Sequence, residues 1–182
     1  MDRSRPPHLT WAPDRHTAVP RVLLINPPSP EQLGAPLLGL QYVTAALLER
    51  GCEVRVIDAG ARYFDHDHGW IVAEADSFRP DMIGFGLFTR WVWHAYQLAD
   101  AFRGCDALLV AGGAHTTVRP DEVIEHGFDV AVIGEAERTI VGIVDHLAHT
   151  QPMQEETPAP HQSHDLGQSR LIQLVRLAIT TQ

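Results

Sequence analysis

Apolar and polar residues fall along this chain in blocks of two kinds. Short, nearly continuous apolar runs occur at 21–26 (RVLLIN), 81–86 (DMIGFG), 107–111 (ALLVA) and 129–133 (DVAVI), and each stops on proline or glycine. Runs of this length and composition predict strands buried on both faces of a parallel sheet. The run at 53–58 (EVRVID) alternates instead, as a strand nearer the sheet edge would. Between the strands lie segments with apolar residues at helical spacing. At 37–50 these are Leu40, Val43, Ala46 and Leu47, with Gly51 placed to close the helix. Further helices are predicted at 71–78 (ended by Arg79-Pro80), at 91–102, at 120–126 with proline at the favoured first position, and at 137–148.

The order of elements is βαβαβαβαβα. A chain of this kind folds as a doubly wound, Rossmann-like (flavodoxin-like) α/β domain. It has a five-stranded parallel sheet, helices on both faces and right-handed crossovers, and 2-1-3-4-5 is the expected strand order. Residues 21–149 are read as this one domain. Residues 1–20, rich in Pro, Arg and His, are read as a flexible leader. From 150 to 182 the composition shifts to Gln, Glu, Pro, His and Ser, which reads as a linker or tail. A modest apolar stripe at 171–179 is either a short helix or the start of something further.

Composition narrows the partners. The 182 residues carry a formal net charge of −9, which argues against nucleic acid, whose phosphates need a basic face. No segment has the length and apolarity of a membrane span or a signal core. The two cysteines, Cys52 and Cys105, are too few for a disulfide framework and read as inert packing residues of a cytoplasmic protein. No CxxC or CxxxCxxC occurs, so the chain is expected to hold no iron–sulfur cluster and to be non-catalytic alone.

The chemistry gathers at the strand ends. After the first strand comes NPPSPEQLGAPLLGL, after the third GLFTRW, after the fourth GGAHTT and after the fifth GEAERT. In doubly wound sheets this carboxyl edge is where ligands bind, in the crevice where strand order reverses. Glycine there lets backbone lie flat against a large ligand.

The loops also match in detail. Asn26-Pro27-Pro28 opens the series, and Pro36-Leu37-Leu38-Gly39-Leu40 leads into the first helix. Ile57-Asp58 ends the second strand, and Arg79-Pro80-Asp81-Met82-Ile83-Gly84 enters the third. Gly112-Gly113-Ala114-His115 and Gly134-Glu135-Ala136-Glu137-Arg138-Thr139 complete it. Each fragment alone is common, whereas their order and spacing together are specific. Over 21–148 the chain resembles the cobalamin-binding domain found at the N-terminus of cobalamin-dependent radical S-adenosylmethionine enzymes.

That resemblance implies a corrin held over the strand ends, with the nucleotide tail passing between sheet and helices. Gly84, Gly86, Gly112 and Gly113 are the small residues it implies along the tail. Thr116 and Thr117 are placed to bond ribose or phosphate, helped by backbone N–H groups before the Pro120 helix. Asn26, Pro27, Pro28, Leu37, Gly39, Leu87, His115, Gly134 and Glu135 complete the expected contacts. Thr89 and Arg90 are candidates for the corrin's lower face. The implied cofactor is methylcobalamin or hydroxocobalamin, and the implied partner a radical S-adenosylmethionine domain or protein that uses it for methyl transfer.

Two departures shape the reading. Cobalamin domains of the mutase type carry DxHxxG after the first strand, whose histidine ligates cobalt, and here that loop has no histidine. Asp65-His66-Asp67-His68-Gly69 has a similar composition but follows the second strand. No protein ligand to cobalt is therefore expected, and the tail base is expected off the metal. The hydroxyl residue that many cobalamin domains carry at the end of the third strand is replaced by Gly86.

Plainer readings stand beside these. Gly112-Gly113 alone is a tight βα turn. Glu135 and Glu137 are acids favoured at a helix N-terminus. Trp91 and Trp93, two apart, point to different sides of a helix. His66 and His68 belong to a solvated loop. The competing functions are a standalone cobalamin carrier or sensor, and a flavodoxin, receiver or nicotinamide-binding domain. A flavodoxin wants a hydroxyl-rich first loop, a receiver wants paired acids there, and a nicotinamide domain wants GxGxxG. This chain has prolines instead.

Overall fold

The structure is a computed structural model that describes residues 19–29, 37–60 and 68–149. Most of the expected leader and the whole tail, the 171–179 stripe and His66 lie outside the described residues.

Five strands, β1 (Arg21–Asn26), β2 (Glu53–Asp58), β3 (Met82–Gly86), β4 (Leu108–Gly112) and β5 (Val130–Ala131), form one parallel sheet in the order β2-β1-β3-β4-β5. This is the expected topology, with alternating β2 at the edge. Three of the continuous runs form the central strands and the fourth, at 129–133, forms the edge opposite β2, with both faces of all four covered. Leu23, Ile25, Ile83, Phe85, Leu109 and Ala111 pack against α2 (Gly69–Phe78), α3 (Val92–Ala101) and α5 (Pro120–Glu125). Val22, Leu24, Met82, Val110, Val130 and Val132 face α1 (Leu38–Glu49) and α6 (Glu137–His149). Burying such side chains contributes roughly 1.5–3 kcal/mol each, so the two faces hold the fold.

The structure departs from the predicted elements in three places. β5 is two residues long rather than five: as an edge strand it pairs with β4 alone. The third helix begins at Val92, after a 3₁₀ turn over Thr89–Trp91. A helix not expected from the sequence, α4 (Ala114–Val118), follows Gly113 directly. Both cysteines are free thiols, and burial pushes each above its ordinary pKa, which suits packing rather than reactivity. No helix among the described residues is long and apolar enough to cross a membrane.

Candidate functional site

The loops after β3 and β4 are stitched together through backbone. Leu87 donates its N–H to the Gly112 carbonyl at 2.8 Å and accepts the His115 N–H at 3.1 Å. Between them Gly113 sits at φ +97° and ψ −175°, a region essentially reserved for glycine. A Cβ there would stand 2.8 Å from the Leu87 carbonyl oxygen.

Beside this stitch a cavity of about 720 Å³ opens between the sheet and helices α1 and α6. Its floor is the sheet face made by Leu24, Gly84, Val110 and Val132, and Val43 and Ile140 close it from the helices. Leu24, Gly84 and Val110 are in register on three adjacent strands. Toward the strand ends the floor becomes Gly86, Gly112 and Gly134, which leaves the mouth wide. Thr117, Glu135 and Glu137 supply the polar side chains, all near the mouth. Thr117 is already committed: its hydroxyl donates to the Gly113 carbonyl and accepts from the Gly134 N–H, both at 3.1 Å. Leu38, Phe88 and Val118 rim the opening at 66%, 43% and 73% exposure.

Of the residues singled out in the sequence, Leu37, Gly39, Gly84, Gly86, Gly112, Gly113, Gly134 and Glu135 line this cavity together. Asn26, Pro27 and Pro28 line a small neighbouring recess with Trp91, and Asn26 donates to Asp58 across to β2 at 2.6 Å. Leu87 is buried and acts through its backbone. Arg90 lies over the Trp91 ring, 4.9 Å from its centroid. Exposed Trp93 lies nearly perpendicular to the His126 ring instead, with centroids 6.5 Å apart. Thr116 is turned inward and donates to the Gly112 carbonyl at 3.1 Å. α4 explains the inversion: a helical turn sends His115 and Thr116 to the core and leaves Thr117 and Val118 at the cavity. The Pro120 helix itself begins beyond α4 and does not line the cavity, whereas Thr117 and Val118, just before it, do. The sequence reading missed Leu24, Val43, Val110, Val132 and Ile140 as wall residues.

His115, 3% exposed, is the hub of a polar chain behind the cavity. Its Nδ1 lies 3.1 Å from Thr89 Oγ1 and its Nε2 3.0 Å from the Tyr96 hydroxyl. Tyr96 donates onward to Glu122 at 3.3 Å, and Glu122 pairs with Arg119 at 3.0 Å. Burial, and then the Glu122 carboxylate, push the Tyr96 phenol well above its ordinary range, so it remains a donor. His115 thereby fastens the Thr89 turn to α4. His115→Leu removes both bonds while leaving Tyr96 its bond to Glu122 and the exposed Thr89 hydroxyl to solvent, and is expected to cost about 1–2 kcal/mol in urea denaturation. No measurable loss would show that the chain carries no stability. Among the described residues no group of three or more His, Cys, Asp or Glu side chains is placed to hold a metal ion.

A family model, the B12 binding domain, matches residues 33–144. The bacteriochlorophyllide d C-8(2)-methyltransferase of Chlorobaculum tepidum is 32% identical over 87 residues, covering 48% of this chain and 18% of that protein. The cytidylyl-2-hydroxyethylphosphonate methyltransferase of Streptomyces wedmorensis is 29% identical over 130 residues, covering 60% and 24%. The chain thus spans less than a quarter of the length of either relative. Among solved structures, the cobalamin-dependent S-adenosylmethionine radical enzyme OxsB, with aqua-cobalamin and S-adenosylmethionine bound, superposes at a TM-score of 0.63 and 19% identity. It covers 71% of this chain and 19% of its own. The radical S-adenosylmethionine methyltransferase TsrM from Kitasatospora setae superposes at 0.57 and 23% identity, covering 70% and 26%. At these identities the likeness is one of fold.

Proposed function

Because this chain belongs to the B12 binding domain family, we propose that it holds cobalamin base-off, with the nucleotide tail in the cavity beneath α1 and α6 and the corrin over the strand ends. The observation that carries this is the cavity itself: about 720 Å³, apolar at depth, and open where strand order reverses. The residues fit the group. Gly84 keeps the floor flat by letting the Leu24 side chain lie across it, since a Cβ there would meet Leu24 Cδ2 at 2.8 Å. At Gly112 a Cβ would meet nothing within 4 Å, so the mouth is clear.

Leu37, Gly39, Gly86, Gly112, Gly113, Gly134 and Glu135 would hold the cofactor near the mouth, and Gly84 deeper in. Asn26, Pro27, Pro28, Thr89 and Arg90 would lie toward the corrin's lower face. The loop after β1 has no histidine to offer to cobalt, and both ring nitrogens of His115 are engaged by Thr89 and Tyr96. When bound as methylcobalamin, the cofactor supplies a methyl group for transfer. The protein's part is to position it and to cover its tail. Presentation to a radical S-adenosylmethionine domain or partner is supported by the methyltransferases and radical enzymes to which this chain is similar.

The test is an ultraviolet–visible titration with hydroxocobalamin followed by desalting. Retained corrin absorbance with a base-off spectrum is expected. A protein that is folded by circular dichroism yet colourless after desalting would overturn the proposal.

A further inference from the structure

We infer that the cavity selects among corrinoids by the base on the nucleotide tail, accepting methylated benzimidazole and disfavouring adenine. This rests on the reading that the tail enters the cavity, and it concerns the residues that meet the far end of that tail.

The deep half of the cavity is walled by Leu24, Gly84, Val110 and Val132 below and Val43 and Ile140 above. None of these carries a polar side-chain atom. At Leu24, Gly84 and Val110 the backbone offers no substitute, because these residues lie in register in the parallel ladder and their strands are paired on both sides, and the Val132 N–H is taken by the Ala111 carbonyl. Among the described residues the polar side chains of the lining stand at the mouth, and the hydroxyl of Thr117 is bonded to Gly113 and Gly134.

Dimethylbenzimidazole and adenine are both flat and close in size, so shape alone separates them poorly. Their far edges differ. One presents two methyl groups and C–H, the other ring nitrogens and an amino group. Methyl groups gain from contact with Val110 and Val132. An amino group and ring nitrogens moved from water into this half of the cavity find no partner, and unpaired buried polar groups are disfavoured strongly. A site built this way rejects the polar analogue through what it fails to supply.

The experiment compares the parent protein with Val110→Thr, a change of nearly constant volume that places a hydroxyl on the floor. Each is titrated with cobalamin, with the adenine-bearing cobamide, and with cobinamide, which lacks the nucleotide tail. Bases differ in how firmly they hold cobalt. That difference belongs to the ligand and cancels in each parent-to-variant ratio. The expected result is that Val110→Thr moves relative affinity toward the adenine cobamide by about tenfold, equivalent to about 1.4 kcal/mol, and leaves cobinamide unchanged. Equal shifts for both cobamides, with cobalamin still retained by the parent, overturn base selection and leave cobalamin binding standing. Retention of no corrinoid by the parent overturns both. Should Val110→Thr not fold, Val132→Thr asks the same question from the neighbouring strand position.

Discussion

Gly112→Trp is expected to abolish retention of cobalamin through desalting and weaken its binding at least about hundredfold, while the far-ultraviolet circular dichroism stays that of the parent. A hundredfold loss corresponds to about 2.7 kcal/mol. The reasoning is steric. Gly112 ends β4 at the cavity mouth, opposite Gly86 on β3, and a Cβ there points into open space. The backbone needs no unusual conformation at this position, since its φ is not positive. An indole is therefore accepted by the fold and projects into the space the ligand requires. Gly142→Ala, on the exposed surface of α6 and away from the cavity, serves as the control and is expected to retain the cofactor. Full retention by Gly112→Trp would place the ligand elsewhere.

The neighbouring glycine is expected to behave oppositely. Gly113→Ala adds one carbon and should destabilise the domain by about 2–4 kcal/mol, lowering Tm by about 10 °C. Here both costs act together. The backbone lies in a region closed to residues with a Cβ, and that Cβ would press on the Leu87 carbonyl oxygen. Backbone cannot swing aside as a side chain can. Relief requires breaking the bonds from Leu87 to Gly112 and from His115 to Leu87. Thermal and urea unfolding of parent and variant measure this directly. A difference under 0.5 kcal/mol would mean the two loops are not held by the stitch. Adjacent glycines thus separate two roles, one leaving room and one permitting a turn.

Much of the fold was legible because the signals were local and agreed with one another. Continuous apolar runs ending on glycine or proline marked β1, β3 and β4 in the centre and β5 at one edge, and the alternating EVRVID marked the other edge. Gly86, Gly112, Gly113 and Gly134 were legible for the same reason: they sit where an apolar run stops. What was not legible depended on the third dimension. Leu24, Val110 and Val132 read as ordinary core, because a residue facing a cavity and one facing a helix have the same chemistry. α4 was missed because AHTTV is five residues long and carries two threonines, so it reads as loop. Its presence turned His115 and Thr116 inward, off the cavity lining. The polar chain from Thr89 to Arg119 joins two stretches, 89–96 and 115–122, that only the fold brings together, and no spacing announces it.

The rim of Leu38, Phe88 and Val118 has a practical consequence for handling the protein. Three large apolar side chains around an apolar opening form a sticky mouth when nothing fills it, and two such mouths can cover each other. Preparations lacking corrinoid should therefore self-associate as they are concentrated. Those supplied with it during expression should stay dispersed, with the net charge of −9 keeping the rest of the surface apart. The cofactor would then be a determinant of yield as well as of chemistry.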